Sequence, residues 1–140
     1  MFAYELAFQR YPQYIHVTVT GINSRHAVMR YLEDVRCECI RQDCYRVLIE
    51  ERLEGPRLGT LDVFAIASEG AMKALGTFHA IAYVDQRMGD MADFAETVAV
   101  NRGMPVRAFS NVEDAEKWLR GQQEGACEQD IFLNSAGRER

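Results

Sequence analysis

The densest run of chemistry-bearing side chains is Glu50-Glu-Arg-Leu-Glu-Gly-Pro-Arg57, which sets Glu50, Glu51 and Glu54 among Arg52 and Arg57. General acid–base work needs a carboxylate whose pKa is raised by apolar burial or by a like charge. Glu50 beside Glu51 offers the second condition on paper. Adjacent residues of a strand point to opposite faces, however, so a shared proton is not expected. Arginine forks and carboxylates also make charge-assisted pairs that give a partner register and specificity. Exposed pairs contribute under about 1 kcal/mol each, so stability alone is a weak reason to concentrate them. A recognition rim and a rigid structural knot are both consistent with the segment, and the two can coexist.

The motifs of established catalysis are missing. The chain has no nucleophile elbow, Walker A loop, HExxH or GxGxxG. Cys37, Cys39, Cys44 and Cys127 follow a C-x-C-x4-C spacing and then a long gap, which is not a zinc pattern. Cys37 and Cys39 fall on different faces of one expected helix. His16, His26 and His79 are scattered along the chain. The expectation is therefore no metal, no cofactor and no enzymatic activity.

The elements that position the charged run are legible from periodicity. Phe2–Gln9 reads as a strand, Arg10-Tyr-Pro-Gln13 as a turn, and Tyr14–Thr20 as a second strand with Ile15, Val17 and Val19 on one face. Ser24 is placed as the N-cap of a helix in which Val28, Tyr31, Leu32, Val35 and Cys39 recur at helical spacing. A strand from Arg46 to Glu50 leads through the charged segment, with Gly55-Pro56 as its turn, to a helix opening at Thr60. The inner stripe expected of that helix is Val63, Phe64, Ala67 and Ala71. A strand over His79–Val84, a helix from Asp90 to Gly103, a short strand Val106–Phe109 and a last helix with Val112, Ala115, Trp118 and Leu119 inward complete the order.

This order predicts an α/β fold: an N-terminal antiparallel hairpin leading into a four-stranded (β-α) parallel sheet, hence a mixed five-stranded sheet with four helices. Residues 1–120 form a single domain, and 121–140 read as a polar C-terminal tail. Open α/β sheets bind ligands outside the C-terminal ends of their strands. Glu50, Glu51, Arg52, Glu54, Arg57, Asp85 and Arg87 leave strands at that edge and are the candidate ligand or partner rim.

Strands 47–49 and 80–84 are apolar on both faces, so both faces need cover. If the strands follow in sequence order and all four helices lie on one face, the other needs the hairpin, the tail, a second subunit or an apolar ligand. Phe2, Tyr4, Leu6 and Phe8 are candidates for that cover or for a homodimer surface.

At net charge −5 and without basic clusters, the chain has no nucleic-acid footprint. No apolar run reaches the roughly 18 residues of a membrane span. The first residues carry no basic region followed by an apolar block, so the expected location is cytoplasmic.

The hairpin entering β-α repeats, the strand Ile81-Ala-Tyr-Val84, and the ending Val106-Arg-Ala-Phe109 followed by a polar cap and Ala115-x-x-Trp118-Leu119 resemble the SpoIIAA-like superfamily, which includes STAS domains. The resemblance spans about residues 3–120 and is most specific in its last block. It implies a (β-α) superhelical sheet and a non-catalytic regulatory or protein-interaction role, as in anti-anti-sigma regulators and the cytosolic parts of anion transporters. It also implies kinship in fold with CRAL-TRIO lipid-transfer domains. The phospho-regulated branch carries an Asp-Ser pair at a helix start where this chain has Gly59-Thr60. Thr60 is thus a candidate regulatory hydroxyl, with a plain helix cap as the simpler role.

The leading expectation is a STAS-like regulatory or interaction domain with an unidentified protein partner or small ligand. The alternative is a small carrier of an apolar or anionic ligand, and the third is a hydrolase-type enzyme using Glu50 and Glu51. A closed apolar cavity above about 300 Å³ favours the carrier. A filled core under a flat charged rim favours the regulator.

Overall fold

The computed structural model describes residues 4–74, 76–85 and 90–131; Phe2 and Arg87 lie outside them. Strands β1 (Tyr4–Arg10) and β2 (Ile15–Ile22) form the expected antiparallel hairpin. Helix α1 (Arg25–Gln42), β3 (Arg46–Glu54), α2 (Thr60–Ala74), β4 (Ala80–Asp85), α3 (Asp90–Val100), β5 (Val106–Phe109) and α4 (Val112–Ile131) follow. The sheet runs β1-β2-β3-β4-β5, and every pair after the hairpin is parallel. Among the described residues no helix is long and apolar enough to cross a membrane.

Local chemistry fixes the element ends. Ser24 caps α1 by accepting from the Ala27 N–H at 3.0 Å. Asp43 closes the same helix in the left-handed region at φ 53°, returning its N–H to the Cys39 and Ile40 carbonyls. Gly55, at φ 98°, makes the turn that leaves β3.

Strand alternation divides the core in two. Val47, Ile49 and Leu53 of β3 join Ile15, Val17 and Val19 of β2 on the face that meets Val28, Tyr31, Val35 and Cys39 of α1. Leu48, Ala80, Ala82 and Val84 occupy the other face, beneath Ala115 and Leu119 of α4, with Val112 and Trp118 packed beside them. Each large aliphatic chain buried this way contributes about 1.5–3 kcal/mol.

The placement of α4 corrects the expectation that all four helices share one face. Only α1, α2 and α3 connect consecutive parallel strands, so the right-handed crossover rule holds them together on one side. Among the described residues no strand follows α4, so the crossover rule does not hold it to that side, and the small alanines of β4 let it approach closely.

Three boundaries also differ from expectation. Strand β3 continues to Glu54 because β2 pairs with it as far as Ile22↔Glu54. Helix α4 continues past Gly121 to Ile131, into the segment read as a polar C-terminal tail. Thr60 is already the first residue of α2, and the Gly59 carbonyl accepts the bond from Val63 that opens the helix. The cap position is therefore Gly59, not Thr60.

Candidate functional site

Because β3 reaches Glu54, most of the charged run obeys strand alternation. Glu50 and Arg52 face the α4 side of the sheet, and Glu51 faces the side of α1, α2 and α3. Of the expected rim, Glu50, Glu51, Arg52 and Asp85 lie at the C-terminal ends of β3 and β4, but on two faces. Glu51, Arg57 and Asp85 belong to one; Glu50 and Arg52 belong to the other. Glu54 is exposed and contributes its carbonyl, which accepts from the Asn23 N–H at 2.7 Å. Glu50 and Glu51 cannot share a proton across the sheet, in line with the strand geometry.

On the α4 side, Glu50 is only 5 % exposed. Its Oε1 lies 2.9 Å from His16 Nε2, and its Oε2 accepts from Arg52 Nε at 2.8 Å and Nη2 at 2.6 Å. Burial pushes the Glu50 pKa up, but the hydrogen bonds from Arg52 and His16 outweigh it and hold the carboxyl below the ordinary range. Of the expected knot, the Glu50–Arg52 ion pair forms. His16 was missed in the sequence because its partner is distant in the chain; its position on the polar face of β2 was visible.

On the opposite face, Glu51 is the centre of a different cluster. Tyr31 of α1 donates its hydroxyl to Glu51 Oε2, and Tyr83 of β4 donates to Oε1 at 2.7 Å. Tyr31 is fully buried and Tyr83 half-buried. Burial first, and then the Glu51 charge, push both phenols well above the ordinary tyrosine range; Asp85 adds in the same direction and Arg57 opposes it at Tyr83. Both tyrosines were read in the sequence as core packing. Their hydroxyls gave no signal there because the strand register that brings them to Glu51 is a tertiary feature.

These groups end a cavity of about 230 Å³ between the sheet and the three crossover helices. Ile49, Ile81 and Val106 line its sheet side, and Val63, Ala67 and Ala71 line it from α2. Helix α2 packs chiefly on α1 and α3 rather than on the strands, so it spans the space as a roof. Phe64, expected on its inner stripe, is instead 42 % exposed and lies under the Arg102 guanidinium at 5.4 Å. Leu61 and Met72, 85 % and 76 % exposed, continue an apolar outer surface of the same helix.

Cys37 and Cys39 fall on different faces of α1, as their spacing implied. Cys37 is exposed and Cys39 buried on α1, and burial pushes the Cys39 thiol up to about 12. Thr60 is exposed at the start of α2.

No protein-family profile and no curated protein sequence matches this chain.

Proposed function

We propose that this is a non-catalytic α/β domain that binds a small ligand in the cavity beneath α2. The observation that carries the reading is the cavity itself, an apolar space with a cluster of hydrogen-bonding groups at one end. Small-molecule sites share that combination. At about 230 Å³ it falls under the roughly 300 Å³ expected of a drug-sized site, yet exceeds the roughly 150 Å³ that accommodates benzene. Among the described residues, the space beneath α2 is smaller than a lipid carrier needs, yet it is not filled by core side chains. A non-catalytic role is supported by the separation of Glu50 and Glu51 onto opposite faces.

The test pairs native mass spectrometry of the freshly purified protein with fragment binding followed by NMR on labelled protein. The expected result is a co-purified small molecule, or fragment-induced shifts at Ile81, Tyr83 and Ala71. Fragments that perturb only surface residues, with no retained mass, would overturn the reading.

A second reading keeps the STAS-like interaction domain. The element order resembles that of the superfamily, and the outward-facing Leu61, Phe64 and Met72 on α2 supply an apolar surface for a partner. Pull-down with wild-type protein and a Leu61→Ser/Met72→Ser variant tests it. Equal capture by both proteins would set the α2 surface aside.

A further inference from the structure

Among the described residues the sheet is open at both ends, and its two edges are unlike. Strand β5 is four residues long, and its Ala108 N–H is taken by Glu96 Oε1 at 2.7 Å. Strand β1 is seven residues long and pairs with β2 without a break in register. It carries no lysine, proline or bulge, the devices that keep an exposed edge from pairing.

The hairpin fixes which backbone groups β1 turns outward. The Tyr11 N–H donates to the Tyr14 carbonyl at 2.9 Å, so these two residues form a hydrogen-bonded pair of the ladder. Such pairs alternate with non-hydrogen-bonded ones, so Glu5, Ala7 and Gln9 direct their N–H and C=O groups to β2. Leu6 and Phe8, with Tyr4 and Arg10 at the strand ends, direct theirs to the open edge. The side chains of Leu6 and Phe8 share the α1 face with their register partners Val19 and Val17. Tyr4 and Leu6 pack against the core there, whereas Phe8 is left 36 % exposed.

We propose that β1 is a self-association edge, at which two copies of the chain pair their β1 strands antiparallel with Ala7 on the two-fold axis. Full overlap of the strand sets Leu6 opposite the partner's Phe8 and Tyr4 opposite the partner's Arg10, each twice by symmetry. These are the residues whose backbone groups face outward, so the strand is its own hydrogen-bonding complement. Pairing with Leu6 covers the exposed Phe8 ring. Charge agrees with this register. Glu5, the one acid of β1, comes opposite Gln9 and not opposite its own copy. Arg10 comes opposite Tyr4, an aromatic ring whose hydroxyl donates to Asp34 and is also reached by Arg30. A foreign extended peptide would use the same backbone groups; the match of side chains and charges is what favours a second copy. The inference stands apart from the cavity and from the outer surface of α2.

Analytical ultracentrifugation of the full chain over a range of concentrations tests it, and the expected result is a concentration-dependent dimer. Phe8→Pro removes an outward N–H and spares the β1–β2 ladder, since proline is tolerated on an open edge. It should weaken the dimer about 10-fold or more. Leu61→Ser/Met72→Ser should leave the dimer unchanged. In Ala7→Cys the two thiols would sit at a non-hydrogen-bonded pair with Cα atoms about 4.5 Å apart, within disulfide reach. Mild oxidation should therefore yield a covalent dimer above the wild-type background set by the exposed Cys37. Gln9→Cys, about 14 Å from its copy along the strand, should not cross-link. A monomer at every concentration, a dimer that Phe8→Pro leaves intact, or loss of the dimer in the α2 variant would overturn the proposal. The wild-type dimer and the Ala7→Cys cross-link decide the matter even if Phe8→Pro does not fold.

Discussion

Glu51 on β3 and Asp85 on β4 are register partners, two carboxylates side by side at the end of a parallel ladder. Like charges directly opposite each other weaken a sheet. The surrounding groups show how the arrangement is accommodated at Glu51: Tyr31 from α1 and Tyr83 from β4 each hydrogen-bond one carboxylate oxygen. A helix and two strands thus converge on one acidic centre. Local propensity at Glu51 has no part in this; register and the alternation of β3 place it.

Tyr83→Phe is expected to destabilise the domain by about 1–2 kcal/mol, because a hydrogen bond to a charged acceptor is lost while the ring still packs. Urea unfolding of the two proteins measures it. A change under about 0.3 kcal/mol would mean that water replaces the hydroxyl without cost and that Glu51 is not organised by Tyr83.

Alkali should unfold the protein through the same pair. A phenol whose pKa is higher folded than unfolded contributes stability that is complete below the ordinary value of about 10 and is lost as pH rises beyond it. Phenolate absorbance should therefore show Tyr31 and Tyr83 ionising only together with loss of the helical circular dichroism. If all six tyrosines titrate near the ordinary value in the folded state, the buried cluster is wrongly described.

Acid acts on the opposite face. Glu50 is held below the ordinary carboxylate range, so its contribution is present above about pH 4.3 and is lost as pH falls through the folded value. Glu50→Gln should cost about 1–3 kcal/mol near neutrality, since Arg52 and His16 both lose a charged acceptor. The gap between wild type and variant should close as both are taken to acidic pH. A gap that is independent of pH would assign the cost to packing rather than to the charge.

Much of this architecture was legible because each strand and helix carries a clean period. The alternation of Ile15, Val17 and Val19, the stripe Val28–Tyr31–Val35–Cys39, and the Ala115/Leu119 pair all point where periodicity sends them. The face taken by α4 was not legible, since handedness constrains a crossover helix and α4 is not one. Phe64 was misplaced because α2 is apolar nearly all round, with Leu61, Phe64 and Met72 outward and Val63, Ala67 and Ala71 inward. The Glu50–His16 and Glu51–Tyr83 contacts join residues more than thirty positions apart. Spacing along the chain carries no trace of such pairs.

The start of α2 gives a sharp test of local chemistry. With Gly59 at the cap and Thr60 exposed inside the first turn, Thr60→Ala should change stability by no more than about 0.5 kcal/mol. Gly59→Ser should be neutral or gain a few tenths of a kcal/mol, because an added Cβ meets nothing within 4 Å and the hydroxyl can cap. A loss near 1 kcal/mol at Thr60, measured by thermal or urea unfolding, would restore the capping role to its hydroxyl.

Enlarging one alanine on each side of the sheet separates an open cavity from a filled core. Ala71 is 3 % exposed on α2 and lines the cavity, whereas Ala82 is fully buried on β4 beneath α4. Adding methylenes to well-packed space costs about 1–3 kcal/mol, and Ala82→Leu should pay at least that, since Leu48, Ala115 and Leu119 already occupy its surroundings. Ala71→Leu has empty volume to enter and buries new apolar surface there, so it should cost under about 1 kcal/mol or stabilise the fold. It should also abolish binding of any fragment that shifts Ile81 and Tyr83 in the wild type. If Ala71→Leu is as damaging as Ala82→Leu, the space beneath α2 closes in solution, and the small-ligand function goes with it.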